Sequence, residues 1–186
     1  MKIGLVGEAP NDTQSVQNLL EKRYFSPNYE YCFLLDRFNG SQLDSQKTKR
    51  FLRIEYESKS PDIVIFIRDL DSVLPDKRQL DLRKKYFTSS NKIVDNKGLY
   101  LLNIYEIEAL ILADIETFNM IYNCQIPEEK NPMGIKEPKE LLRSISKDYN
   151  ESENPYIFSK LNFENASNCK YFKVFINRLE KNLKKK

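Results

Sequence analysis

The stretch Pro61–Leu74 reads PDIVIFIRDLDSVL, and its first half decides the fold. Ile63, Val64, Ile65, Phe66 and Ile67 run without a polar break, and Pro61 stops any helix before them. A short apolar run of β-branched and aromatic residues predicts a buried strand of a parallel sheet, covered on both faces. It ends in Asp69-Leu70-Asp71, so two carboxylates emerge where the strand leaves the sheet. In open α/β folds that edge is where ligands sit. Acids at i and i+2 on a strand end face the same side and together suit a hard cation such as Mg2+. The same pair also suits a turn or the cap of a following helix.

Working outward, Met1–Gly7 (MKIGLVG), Tyr29–Leu35 (YEYCFLL) and Leu99–Ile104 (LYLLNI) read as further strands. Between them lie helical patterns. One follows Asp12-Thr13 and runs to about Tyr24, with Val16, Leu19 and Leu20 on one face. Lys47–Ser58 predicts a basic amphipathic helix, Phe51, Leu52 and Ile54 inward and Lys47, Lys49, Arg50 and Arg53 largely outward. Asp76–Tyr86 is a charged helix carrying Leu80 and Leu82, and Tyr105–Asp114 is helical by composition. Strands alternating with helices predict an α/β fold, a central parallel sheet of about four strands flanked by helices. Beyond it, Cys124–Glu137 reads as a loop or lid. Glu137–Ser146 reads as a short helix with Pro138 in its first turn, Asp148–Pro155 as a second loop. Cys169–Lys184 reads as an amphipathic helix using Phe172, Phe175, Ile176 and Leu179. Residues 1–122 thus form the expected core, and residues 123–186 a loop and helical C-terminal extension packed on the same domain.

Composition limits the chemistry. Among 186 residues there is no histidine, which removes His-based acid/base work, Ser/Cys-His triads and His-ligated zinc. Cys32, Cys124 and Cys169 are odd in number and far apart, and predict reduced thiols rather than disulfides or a zinc cluster. A net charge of +3 permits nucleic-acid binding without demanding it. The apolar run Ile3–Val6 is too short for a signal peptide, and no stretch approaches the ~20 apolar residues of a membrane span. A soluble, cytoplasmic protein without a membrane partner is expected.

Acids follow the first, third and fourth predicted strands: Glu8, then Asp69 and Asp71, then Glu106 and Glu108. Parallel strands put these ends on one edge, so the carboxylates converge if the first and third strands are neighbours. Like charges gathered in a cleft repel, and some must take up protons unless a cation sits among them. An oxygen-only site selects Mg2+ or Mn2+ over zinc. Such an ion polarises a phosphoryl oxygen and activates water, and a pair about 4 Å apart clamps both attacking and leaving oxygens.

This pattern resembles the TOPRIM domain shared by topoisomerases, bacterial primases and OLD-type nucleases, with a Glu after the first strand and a D-x-D after a later one. The closer likeness is to small OLD-like TOPRIM proteins. These open with E-G-x-T-D after a hydrophobic strand, continue to D-x-D, and carry an E-x-E-A-W-L-L-A-D-like segment. Here the corresponding residues are Glu8-Ala9-Pro10-Asn11-Asp12, Arg68-Asp69-Leu70-Asp71-Ser72 and Glu106-Ile107-Glu108-Ala109-Leu110-Ile111-Leu112-Ala113-Asp114. Pro138-Lys139-Glu140-Leu141-Leu142 and the segment from Cys169 to Phe175 look similar too, so the likeness covers nearly the whole chain. Ala9, Asn11 and Leu110 depart from the usual Gly, Thr and Trp.

The resemblance implies a TOPRIM-like Rossmannoid fold and a Mg2+-dependent nuclease. Glu8 is then a general base or a ligand of a second metal, Asp69 and Asp71 metal ligands, and Glu108 a further ligand. Glu106 and Glu108 would diverge on a helix but not in a strand-to-helix turn; Glu106 equally suits a solvated first turn. Asp12 is expected to cap the first helix rather than bind metal, and Asp114 to cap or pair near a helix end. Arg68 suits a phosphate, or an ion pair with Asp69 or Glu108. Lys77, Arg78, Arg83, Lys84 and Lys85 suit a nucleic-acid backbone or simply a solvated face. The Lys184-Lys185-Lys186 tail suits a helix C-terminus. The tyrosines are scattered rather than interleaved with basic residues as a stacking platform would prefer.

Three functions are therefore open. The first is a nuclease on nucleic acid, DNA ahead of RNA, in the bacterial-defence setting the resemblance implies. The second is a phosphatase, since Asp69-Leu70-Asp71-Ser72-Val73-Leu74 also fits the D-x-D-x-V-L motif of haloacid-dehalogenase-type enzymes. The third is a non-catalytic scaffold whose surface binds a partner protein such as an ATPase. Oligomeric state is not legible.

Overall fold

The computed structural model describes residues 1–184 apart from Val73 and Pro75. Val73 of the phosphatase-like motif, and Lys185 and Lys186 of the tail, lie outside the described residues. The chain runs β1 (Lys2–Val6), α1 (Pro10–Leu20), β2 (Glu30–Phe33), α2 (Gln46–Lys59), β3 (Ile63–Asp69), α3 (Lys77–Ile93) and β4 (Gly98–Asn103). There follow α4 (Ala109–Leu112), α5 (Ile115–Tyr122), α6 (Pro138–Ile145), α7 (Asn154–Lys160), α8 (Phe163–Ala166) and α9 (Lys170–Leu183).

The strands form one parallel sheet in the order β2-β1-β3-β4. The apolar run of β3 lies next to β1, and every residue from Ile63 to Arg68 is buried. Alternation then sorts the sheet's side chains to two faces. Ile3, Leu5, Ile65, Ile67 and Leu101 join one core with α1 and the C-terminal helices. Val6, Val64 and Phe66 join the other with Leu52 and Tyr56 of α2 and Tyr86 and Phe87 of α3. Phe66 is fully buried, and replacing it with Ala costs about 3–5 kcal/mol of stability.

Local chemistry sets the helix ends. Ser45 accepts the Thr48 N–H at the start of α2, and Ser60, left-handed at φ 48°, closes it just before Pro61. Asp76 accepts the Gln79 N–H at 3.0 Å and starts α3. In α2, Leu52 points inward as expected, but Phe51 is 39 % and Ile54 60 % exposed. The buried stripe there is Thr48, Leu52 and Tyr56, a strict four-residue spacing that leaves Phe51 and Ile54 on its flanks. The charged helix expected to end at Tyr86 continues to Ile93, with Tyr86, Phe87 and Ser90 buried.

The extension is more helical than its sequence suggested, because α7 and α8 interrupt the second expected loop and the stretch after it. Phe158, Phe163, Phe172 and Phe175 share a core with Ile3 and Leu5, so the extension and the sheet are built around common apolar contacts. Asn18 in α1 donates to the Pro155 carbonyl at 2.7 Å and fixes α7 beside α1. Cys32, Cys124 and Cys169 are free thiols. Among the described residues no helix is long and apolar enough to cross a membrane.

Candidate active site

Because β1 and β3 are neighbours with Val6 opposite Phe66, the residues just past β1 lie beside Arg68 and Asp69. Glu8 Oε1 accepts a hydrogen bond from Arg68 Nε at 2.6 Å and from the Asp69 backbone N–H at 3.1 Å. Gly40 covers the carboxylate closely: a Cβ there would stand 2.5 Å from Glu8 Oε2. Any larger residue at position 40 must therefore displace Glu8.

Asp12 caps α1 as expected, its Oδ2 accepting the Ala9 N–H at 3.0 Å. From that post it also feels the other acids. Burial, then the charges of Glu108 and Glu8, push its carboxyl from 3.8 up to about 7. The cap is the reading the sequence favours at this position, and the fold adds a place among the acids.

Asp69 closes β3 opposite Asn103, whose Nδ2 donates to its Oδ1 at 2.9 Å. Burial, Asp12, Glu8 and Glu108 together push the Asp69 carboxyl well above the usual range, opposed by the Asn103 hydrogen bond. Asp71 departs from the expected geometry. The strand ends at Asp69, and Asp71 turns left-handed at φ 55°, its N–H donating to the Tyr105 carbonyl at 3.1 Å. The i, i+2 rule for a strand no longer applies there. Asp71 Oδ2 instead meets Arg83 Nη2 at 2.6 Å, while Arg83 Nε donates to the Asp69 carbonyl at 2.6 Å. Tyr105 is also left-handed, φ 58°, just past β4.

Glu106 and Glu108 lie in the strand-to-helix turn rather than on a helix, since α4 begins only at Ala109. Glu106 Oε2 accepts the Lys139 backbone N–H at 3.2 Å, and its Oε1 lies 3.4 Å from Lys139 Nζ. Glu108 is 2 % exposed. Its Oε1 accepts from Asn154 Nδ2 at 2.9 Å, with the Tyr149 hydroxyl 3.5 Å away. Burial raises its carboxyl, with Asn154 and Lys139 opposing. Burial disfavours the charge on Lys139, yet Glu108, Glu151 and Glu106 more than reverse this and hold it protonated.

Arg68 is 2 % exposed, so it is not presented to solvent, and its ion-pair partner is neither Asp69 nor Glu108. It pairs with Glu8, lies 3.6 Å from Asp44, and sits 4.4 Å over the Tyr86 ring. Its Nη1 is buried without a hydrogen-bond partner. Lys77, Arg78, Lys84 and Lys85 are exposed on α3. Asp114 pairs structurally, accepting from Thr117, Asn162 and Asn165.

The fold thus gathers Glu8, Asp12, Asp69 and Glu108 within electrostatic reach of one another at the carboxyl edge of the sheet, with Asp71 and Glu106 at the rim. Among the described residues, no three Asp, Glu, Cys or His side chains are grouped so as to hold a metal ion as they stand. The donor chemistry suits a hard divalent cation, because every ligand is oxygen and the acids outnumber Arg68, Arg83 and Lys139. Sequence reasoning missed Asn103, Lys139, Tyr149 and Asn154. Asn103 carried a signal, as the polar end of the apolar strand β4; Asn154 and Tyr149 carried none. No family model, curated protein or solved structure matches the chain.

Proposed function

We propose that the protein is a Mg2+- or Mn2+-dependent nuclease of TOPRIM type that hydrolyses nucleic-acid phosphodiester bonds, DNA ahead of RNA. The observation that carries this is the convergence of Glu8, Asp12, Asp69 and Glu108 at one strand edge, where mutual repulsion and burial drive Asp12 up to about 7. A site that holds acids at this cost to the apo protein is one that gains from a cation. Asp69, Asp71 and Glu108, with Glu106 or Glu8, are the residues that would hold it. When bound, the ion supplies Lewis-acid stabilisation of the phosphoryl oxygen and an activated water.

The chain's own residues do the rest. Glu8, fixed by Arg68 Nε and the Asp69 N–H, is oriented to take a proton from an attacking water. Asp12, within electrostatic reach of Glu8, would give up its proton when a cation relieves the repulsion among the acids. Arg83 and Lys139 bring positive charge to the rim, where a substrate phosphate competes for them with Asp71 and Glu106. The resemblance to OLD-like proteins adds the setting, bacterial defence.

The test is cleavage of plasmid and single-stranded DNA, with RNA alongside, in Mg2+, Mn2+ and EDTA. Activity should need the metal and be lost in Asp69→Asn and Glu8→Gln. Hydrolysis of small phosphomonoesters with Glu8→Gln unimpaired would instead indicate the phosphatase.

One observation favours a second reading, a non-catalytic scaffold with a protein partner such as an ATPase. Glu8, Asp71 and Glu106 are each engaged by a protein cation, Arg68, Arg83 and Lys139 respectively. Mn2+ binding without turnover on any nucleic acid would select that reading.

A further inference from the structure

Strand β4 is an edge of the sheet, and above its Tyr100 and Leu102 a cavity of about 340 Å3 opens between α3 and α9. This is the small end of the range for ligand pockets. Its floor is aromatic: Phe87 and Tyr100 stack with centroids 4.2 Å apart at 17°. Leu80, Leu102, Val174 and Phe175 make most of the remaining lining apolar, and four cations border it: Arg83 and Lys84 from α3, paired with Asp71 and Asp81, and Lys170 and Arg178 from α9; no acid is among the lining residues. Lys170 and Arg178 make no ion pair among the described residues. Tyr171, half-buried on the α9 wall, makes no ring contact among the described residues and so offers an unstacked face.

We propose that this groove binds single-stranded nucleic acid, a base stacking on Tyr171 and the apolar floor and its flanking phosphates on the bordering cations. The inference rests on the nuclease reading for where the strand leads, and it names the substrate class of that site. Charge selects the occupant. The same face of a second copy would bring the same cations to these walls, whereas a strand brings one phosphate per base with a π-face on each base. Continuity selects a strand over a mononucleotide. A second cavity of about 270 Å3, lined in part by Lys130, Asn131 and Met133, shares Lys170 and Tyr171 with the first. The second cavity is also lined by Leu74 and Ile104, just past the ends of β3 and β4, and Arg83 of the first touches Asp71 and the Asp69 carbonyl, so the track runs beside the acids. A duplex keeps its bases stacked inward and cannot fill the recess.

Tyr171 follows Lys170 in the chain, but Tyr100 and the cations of α3 join them only in three dimensions. Tyr100 and Tyr171 lie 71 positions apart yet line one groove.

Fluorescence anisotropy of the full chain with a fluorescein-labelled oligo-dT strand, in EDTA so that nothing is cut, tests this. Tyr171→Ala should weaken binding about tenfold while Tyr171→Phe keeps it. Lys170→Glu with Arg178→Glu should weaken it at least as much and flatten its salt dependence. Lys173→Glu, one such charge reversal at an exposed α9 position outside the groove, should bind nearly as the wild type does. Circular dichroism melts of each variant confirm folding. The inference is overturned if the Tyr171→Ala and double-Glu variants bind as the wild type does. It is equally overturned if Lys173→Glu loses as much, or if a hairpin duplex binds as tightly as the strand. Groove-dependent binding without cleavage in Mg2+ leaves the groove standing and removes the nuclease. Cleavage with unchanged KM by the groove variants does the reverse.

Discussion

The Glu8 carboxylate accepts the Asp69 backbone N–H at 3.1 Å across 61 positions of sequence. That bond exists because β1 and β3 are parallel neighbours in register, and it ties the acid after the first strand to the acid ending the third. The same Glu8 oxygen holds Arg68 at 2.6 Å. Acids, and the cations that restrain them, are therefore built as one unit at the sheet's carboxyl edge.

The first prediction concerns that restraint. Arg68→Met removes a buried guanidinium and leaves Glu8 with the Asp69 N–H alone, at a cost of about 3 kcal/mol. Adding Glu8→Gln should recover part of that loss, because the uncompensated charge goes with it. Urea denaturation of both single variants and the double checks the coupling. Strict additivity would mean that the two side chains act independently.

The second prediction is a pH dependence. Asp12 has a folded-state value of about 7 against 3.8 unfolded. Below about pH 4 it is protonated in both states and costs nothing. Between that point and about 7 the folded state retains a proton that the unfolded state has released, so stability falls as pH rises. Above about 7 the penalty is complete, a few kcal/mol at most. Asp69 adds in the same direction. Urea melts in EDTA at pH 5 and pH 8 should show wild type weaker at pH 8, with the difference reduced in Asp12→Asn. An unchanged difference in that variant would show that Asp12 is not a source of it.

The third prediction concerns Glu108. Asn154 donates to it in a site closed to solvent, so Asn154→Ala leaves the buried Glu108 Oε1 to the Tyr149 hydroxyl at 3.5 Å and should cost about 1–3 kcal/mol. Asn154→Asp places a second acid against Glu108 and should cost more, the excess shrinking at low pH. Chemical denaturation at pH 5 and pH 8 measures both.

The fourth prediction uses linkage. Mn2+ at about 100 times its dissociation constant should stabilise the folded chain by about 2.7 kcal/mol. Asp69→Asn should abolish that gain although its melt in EDTA is no lower than wild type, since it removes a repelled charge. Thermal melts with and without the ion decide this. Equal stabilisation of both proteins would place the ion elsewhere.

Much of the sheet was legible because β1, β3 and β4 each carry a short apolar run, and a buried parallel strand leaves that mark. The neighbour relation of the first and third strands was a condition in the sequence and a fact only in the fold. For Asp71 the same-side strand geometry fails and the alternative of a turn holds, since the strand stops at Asp69 and the chain turns left-handed two residues later. The partner of Arg68 was missed for a related reason: its ion pair spans 60 positions, and its only guide is the register between strands. Phe51 and Ile54 were placed inward by hydrophobicity, whereas helix geometry buries Thr48 instead. The shell around Glu108 comes from helices α6 and α7 of the extension or just before them, whose contacts with the sheet edge have no local signature.

The most direct measurement is an anomalous difference map from a crystal soaked in MnCl2. A peak within bonding distance of Asp69 and at least one of Glu8, Asp71 and Glu108, vanishing in Asp69→Asn, is the predicted result. Peaks only at surface carboxylates far from β3, or no peak at all with the acids still held by Arg68, Arg83 and Lys139, would contradict it.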